Sequence, residues 1–291
     1  MAMKCTRRAF LRGCGRGLSG LTVAGCSTTS IEPIFAPKAE LWDAWSGHGR
    51  HPIVSIDHHA WDRLLKAHIA SDADGINRFA YARMGPADRR MLDAYIGRLA
   101  NIPILEHPRN EQLAYWVNLY NALTVRVVIE HYPVHSLRDI DLSFGFLSDG
   151  PWDRKLIRIG EHTVSLNDIE HRILRPIWRD PRVHYVVNCA AIGCPNLPPR
   201  ALTAANADDM MTRAAIEYIN HPRGVRVVKN GLVISKIYLW YAEDFGGDPK
   251  KIVAHVLGYV RPELAARIPP DVSIVDYEYD WALNDAPNYK S

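Results

Sequence analysis

Apolar residues recur at helical spacing in three successive stretches of this chain. After Asp57, which is placed to cap, Trp61, Leu64, Leu65 and Ile69 follow one another at intervals that line one face of an α-helix. Met91, Leu92, Tyr95, Ile96 and Leu99 repeat the pattern after Gly85-Pro86. The third stretch, residues 110–132, is apolar on most faces and predicts a buried central helix ended by Pro133. From Trp152 the period shortens. Residues 156–159 and 163–164, separated by Gly160-Glu161, predict a strand pair. Ser165 with Asp168 three residues later is a capping box. It opens a short helix through Ile169, Ile173 and Leu174 that Pro176 is expected to stop. Residues 184–188 read as a buried strand delivering the loop 189–199. A helix over 207–220 and a hairpin of residues 225–228 and 232–235 around Asn230-Gly231 follow. Helices and strands are segregated more than alternated, so the predicted class is α+β. The expected architecture is one globular domain over residues 56–291, a buried central helix with a small, mostly antiparallel sheet and surrounding helices.

The N-terminal residues follow another logic. Thr6-Arg7-Arg8-Ala9-Phe10-Leu11 fits a twin-arginine signal, and the weakly apolar stretch 17–25 is too short to span a bilayer, which needs about 20 apolar residues. Val23-Ala24-Gly25-Cys26 fits a lipobox. The reading is therefore a signal over residues 1–25, a lipid-bearing Cys26 and a tether up to residue 55, rich in Ser, Thr, Pro and Gly. It places the chain on the periplasmic face of the cell envelope, anchored to a membrane through Cys26. Ser27 favours the outer membrane over the inner.

Charge adds little beyond this. The chain has a formal net charge of +3. Lys4, Arg7, Arg8, Arg12 and Arg16 all fall in the signal, which has no acid. The remainder has 30 basic against 32 acidic residues, so nothing in it suggests nucleic-acid binding. Nor is there a Gly-rich phosphate loop, a zincin helix or a nucleophile elbow, and no cofactor or metal is expected.

Export changes the cysteine arithmetic. Cys5 and Cys14 leave with the signal and Cys26 takes lipid, so Cys189 and Cys194 remain, with four residues between them. Three readings stand side by side. They are a structural disulfide, favoured by an oxidising compartment, a nucleophilic thiol activated by His171 or His184, and a metal site using both thiols and both histidines. Glu170 is a poor orienter for His171, because adjacent residues on a helix do not face each other. On the long helix Glu111, Asn118 and Asn121 fall within about 80° of one another at 100° per residue, one polar stripe on an apolar rod. With Asn188 they are candidate binding residues. The competing reading is that they hydrogen-bond neighbouring loops. Lys236, Trp240, Tyr241 and Asp244 are read as packing and capping residues.

Several of these segments resemble one family. Residues 111–124 (EQLAYWVNLYNALT), Ile169-Glu170-His171, Asp180-Pro181-Arg182-Val183-His184, and Asn188-Cys189 through Cys194-Pro195-Asn196-Leu197 are similar to motifs of the Domain of Unknown Function 547 family. Ser235-Lys236-Ile237, Trp240-Tyr241, Glu243-Asp244-Phe245 and Tyr279-Asp280-Trp281 fit the same pattern, in order over residues 57–284. The resemblance implies a shared fold and assigns no catalytic residue. Two functions follow from the residues themselves. One is an envelope enzyme of hydrolase or acyl-transfer type with a Cys/His cleft. The other is a non-enzymatic binding or assembly lipoprotein stapled by a Cys189–Cys194 disulfide.

Overall fold

The structure is a computed structural model and describes residues 38–50, 55–140 and 151–286. The twin-arginine signal, the lipobox, Cys26 and Ser27 lie outside the described residues. The fold is α+β. Helix α1 (His59–His68) leads into the antiparallel pair β1 (Ile69–Ser71) and β2 (Asn77–Phe79). Ile69, expected on the helix, therefore starts a strand. Asp57 does accept a hydrogen bond at the helix entry, from the His59 N–H at 2.8 Å. Helix α2 (Pro86–Ala100) packs on α1 and on α3 (Arg109–His131).

Helix α3 is buried along almost its whole length, as its apolar faces require, with Trp116, Leu119 and Leu123 all in the core. Burying side chains of this kind contributes about 1.5–3 kcal/mol each. Around it lie α1, α2 and the antiparallel pair β3 (Ile157–Ile159) and β4 (His162–Val164). A second apolar cluster surrounds α5 (Ala207–Ile219), β5 (Val225–Val228) and β6 (Gly231–Ser235), and includes residues of α7 (Pro249–Leu257). Strands β5 and β6 form the expected hairpin, and β7 (Ile274–Glu278) joins β6 in parallel.

Three local readings are corrected. The capping box exists, with Ser165 N donating to Asp168 Oδ2 at 2.8 Å and Asp168 N to Ser165 Oγ at 3.1 Å. The helix it opens is wider than an α-helix, a π-helix over Asp168–Leu174 that runs into α4 (Arg175–Trp178). Pro176 does not stop it. It sits in the first turn of α4, where a proline's missing N–H costs least. Residues 184–188 are not a strand: Pro181–Tyr185 is a 3-10 helix, started by the Asp180 side chain accepting the Arg182 N–H at 2.9 Å. A short apolar run is buried in either conformation, so its pattern does not separate them. The cysteine loop accordingly follows a turn and lies at no sheet edge.

The stretch read as a tether is, over residues 38–50, a strap laid on the domain. Glu40 N and Trp42 N donate to the carbonyls of His171 and Arg172 at 2.9 and 3.0 Å. Trp45 is 4% exposed and meets Trp116 edge-to-face at 5.1 Å. Gly49 lies so close to the Glu106 carbonyl that a Cβ there would sit 1.8 Å from its oxygen. Residues 279–286 thread back through the domain. Phe79 N donates to Asn284 O at 2.8 Å, Ala286 N to Phe79 O at 3.0 Å and Leu283 N to His135 O at 2.7 Å.

Candidate functional site

Three elements converge on one buried ionic cluster. The π-helix supplies Glu170 and His171, and α4, which continues it, supplies Arg175. The turn Pro181–Tyr185 supplies His184. The stretch after α6 (Ile237–Trp240) supplies Tyr241 and, in a 3-10 helix over Ala242–Phe245, Asp244. A π turn is a frequent feature of functional sites because it shifts the register of side chains on a helix. Arg175 Nη1 thereby faces His171 Nδ1 at 3.1 Å, while its Nε donates to Asp244 Oδ2 at 2.5 Å. His184 lies flat on Tyr241, with ring centroids 4.3 Å apart and planes 12° apart. Its Nε2 is 2.6 Å from Asp244 Oδ2 and its Nδ1 3.6 Å from Glu170 Oε1.

These contacts assign protonation states. Burial lowers the pKa of His184, but two carboxylates facing its two nitrogens outweigh that and raise it above the usual histidine value. His184 is the imidazolium of the cluster. His171 is the opposite case. Burial, helped by the Arg175 and His184 charges, pushes it down to about 4, and a guanidinium only donates, so Nδ1 accepts and the neutral ring carries its hydrogen on Nε2. Burial opposes ionisation of Glu170 and Asp244. The imidazoles and Arg175 facing Glu170, and His184 and Arg175 facing Asp244, nevertheless hold each carboxyl at about 2. Among the described residues, two anions, Glu170 and Asp244, thus face two cations, Arg175 and His184. Buried charges of this kind survive only when paired.

The cysteine loop lies beside this cluster. Cys194 is buried and Cys189 half-buried, and both are free thiols. The Cys189 N–H donates to Cys194 Sγ at 3.2 Å, and Cys189 Sγ lies 3.1 Å from the Tyr279 hydroxyl. The Cys194 side chain, whose thiol donates to Val187 O at 3.7 Å, is the leading cause that lowers the pKa of Cys189. Burial works against it, Tyr279 and the Ala191 N–H add to it, and the nearby Glu170 charge opposes it; the balance is a thiol held below its ordinary range. Burial pushes Cys194 well up. Tyr279 is also pushed well up by burial, so it stays protonated and donates. Among the described residues neither His171 nor His184 hydrogen-bonds a cysteine, because their ring contacts are with Arg175 and the two carboxylates. Among the described residues there is also no group of three or more His, Cys, Asp or Glu arranged to hold a metal ion.

The polar stripe of α3 faces backbone. Asn118 Nδ2 donates to Leu202 O at 2.8 Å while its Oδ1 accepts the Leu202 N–H at 3.0 Å. Asn121 does the same across two residues, donating to Val186 O at 2.8 Å and accepting the Asn188 N–H at 2.9 Å. Glu111 Oε2 accepts the Ile56 N–H at 3.3 Å. Asn188 closes the cysteine loop on itself, donating to Pro195 O at 2.7 Å and accepting the Ala190 N–H at 2.8 Å. Ala190 between them has a left-handed backbone, φ +60°, a conformation that costs a non-glycine residue about 1–2 kcal/mol. Gly193 fits because a Cβ there would lie 2.6 Å from Asp280 N.

The structure thus groups His171 and His184 with Glu170, and Cys189 with Cys194 and Tyr279, near enough for the Glu170 charge to act on Cys189. Asn121 and Asn188 support the cysteine loop, and Asn118 and Glu111 hold other segments. Sequence reasoning missed Arg175 and Tyr279 and took Tyr241 and Asp244 for packing residues. The one available signal was that Tyr241, Asp244 and Tyr279 lie in segments that share the family resemblance with the histidine and cysteine segments; Arg175 lies in none of them. Residues 104–219 match the family model described as Protein of unknown function, DUF547, which supports the family resemblance over that span. The match takes in Glu170, both histidines and both cysteines, and leaves Tyr241, Asp244 and Tyr279 outside it. No curated protein and no solved structure matches the chain.

Proposed function

We propose that this chain is an exported lipoprotein, anchored by Cys26 on the periplasmic face of the envelope, whose domain is a thiol-dependent enzyme of hydrolase or acyl-transfer type with Cys189 as nucleophile. The observation that carries the reading is the asymmetry of the two thiols. Cys189 is half-buried and accepts hydrogen bonds that favour its thiolate, while Cys194 is buried and kept protonated. In acyl transfer the Cys189 thiolate attacks the carbonyl carbon of an ester, thioester or amide, the bond to the leaving group breaks as the acyl group passes to sulfur and the leaving group takes a proton from solvent, and water or a second acceptor then attacks the thioester, loses its proton to solvent and frees the Cys189 thiolate. The Tyr279 donor held close to the sulfur, with Cys194, shifts Cys189 toward its thiolate relative to a free thiol. The neighbouring cluster brings a neutral imidazole, His171, and a charged one, His184, to the same region.

The test is acyl trapping. The purified, reduced full chain is incubated with p-nitrophenyl acetate near pH 7 and mapped by peptide mass. The expected result is one acetyl group on Cys189, absent from Cys189→Ser, with Cys194 unlabelled. Equal labelling of both cysteines, or none at Cys189 while surface groups react, defeats the enzymatic reading and leaves the binding lipoprotein. The anchor is tested separately. Replacing Arg7 and Arg8 by Lys is expected to block export, and Cys26→Ala to yield unlipidated protein by intact mass.

A further inference from the structure

The cysteine loop holds its shape without a cross-link. Asn188 ties its two ends through Pro195 O and the Ala190 N–H. Ile192 N and Gly193 N donate to the carbonyls of Ala282 and Asp280, both at 2.8 Å, and Asn284 N donates to Ala190 O at 2.9 Å. From the other side the Tyr218 hydroxyl donates to Gly193 O at 2.7 Å and Arg223 Nη1 to Ile192 O at 2.9 Å. A structural staple gains most where it closes a loop that is otherwise open. Here the closure is already made by hydrogen bonds, and Cys194 Sγ, a free thiol, sits 3.2 Å from the backbone N of Cys189 and 3.7 Å from Val187 O. Such an arrangement lets a bridge form and open with little rearrangement.

From this geometry we propose a second activity for the pair: Cys189 and Cys194 are a reversible dithiol–disulfide couple that exchanges with disulfide-bearing molecules of the envelope. The proposal rests on the reading of Cys189 as the accessible nucleophile. In the exchange the Cys189 thiolate attacks one sulfur of a partner disulfide. A mixed disulfide forms and the partner's other sulfur leaves as a thiolate that takes a proton. The buried Cys194 then gives up its proton and attacks Cys189 Sγ, which expels the remaining partner thiol. The two protein thiols are oxidised to a disulfide and the partner disulfide is reduced to two thiols, two electrons in all. A half-buried attacking thiol with a depressed pKa beside a fully buried resolving thiol with a raised one is the division of labour such exchange requires. Closing the bridge also removes the nucleophile, so the same couple switches acyl chemistry off.

The experiment equilibrates the purified full chain with mixtures of reduced and oxidised glutathione, quenches with an alkylating agent and counts free thiols by mass. The expected result is a sigmoidal passage from two free thiols to a Cys189–Cys194 bridge within the glutathione range, reversed by excess reduced glutathione. Cys194→Ser is expected to accumulate a glutathione adduct on Cys189 at least tenfold above wild type, and Cys189→Ser to accumulate none. A bridge that reduced glutathione leaves intact makes the pair a staple and overturns the proposal. Failure of any bridge to form, with Cys194→Ser indistinguishable from wild type, overturns it too. If Cys189 still takes the acetyl group in either case, the acyl-transfer reading survives. If Cys189 reacts with neither reagent, both readings fall.

Discussion

Asn121→Ala is expected to destabilise the domain by about 2–6 kcal/mol and to change the reactivity of a residue it does not touch. The amide is 1% exposed and bonds two backbone groups, Val186 O at 2.8 Å and the Asn188 N–H at 2.9 Å. Its truncation strands one buried acceptor and one buried donor, each at about 1–3 kcal/mol. That is a large part of the ~5–15 kcal/mol by which a domain is usually stable. Asn188 is the residue that closes the cysteine loop, so freeing its backbone lets Cys189 move away from Tyr279 and Cys194. Asn118→Ala is the matched control. It strands the same two kinds of group at Leu202, with a similar loss of stability but no link to the loop. Urea unfolding gives the energies, and iodoacetamide labelling of Cys189 in folded protein gives the coupling. A loss below about 1 kcal/mol in Asn121→Ala, or equal labelling rates in the two variants, would refute the view of α3 as the support of the cysteine loop.

Leu123→Ala, deep in α3 and fully buried, is expected to cost about 2–5 kcal/mol in urea unfolding. Ala190→Gly relieves the left-handed backbone at φ +60° but removes a methyl buried in the core; the two effects, about 1 kcal/mol each, are expected to leave the urea midpoint nearly unchanged, and a loss above ~2 kcal/mol would refute strain at this position. Urea midpoints are expected to fall from pH 7 to pH 4.5. Burial holds His58 and His171 at about 4 in the folded domain against 6.5 for an ordinary histidine, so the unfolded chain binds more protons as pH drops through that window. Glu170 and Asp244, held at about 2, add a further loss below the ordinary carboxylate range. His184, raised, contributes the reverse dependence, stability present below 6.5 and lost as pH rises through its shifted value. A flat profile from pH 7 to 4.5 would contradict the buried, neutral state of His58 and His171.

The helices were legible because each buries a face defined by its own neighbours in sequence. Trp61, Leu64 and Leu65 needed no partner elsewhere to announce α1, and the hydroxyl and carboxylate of Ser165 and Asp168 satisfy each other locally. The site was legible only in part, for the converse reason. Asp244 and His184 are 60 residues apart, and nothing local to either specifies the other. The strap over residues 38–50 was read as part of a tether because residues 26–55, with their Pro, Gly, Ser and Thr, describe a chain without periodicity, while its docking rests on two tryptophans, Trp42 against His162 and Arg172 and Trp45 against Trp116, and on carbonyls of the π-helix. Backbone acceptors of that sort leave no mark in a sequence.

The return of residues 279–286 through the domain sets the order in which this protein can be finished. Tyr81 meets Asn284 across 203 residues, and Cys189 meets Tyr279 across 90. During synthesis at roughly 5–20 residues per second, the cysteine loop waits for several seconds without Tyr279, Asp280, Ala282 or Asn284, and so without half of the bonds that shape it. Contacts of such long range also form late in folding, since the entropy of closing the intervening chain is lost before they repay it. A nascent chain therefore exposes two adjacent thiols before it has any device to hold them. Whatever meets it in that interval, oxidant or chaperone, acts on a cysteine pair that the finished domain keeps under control.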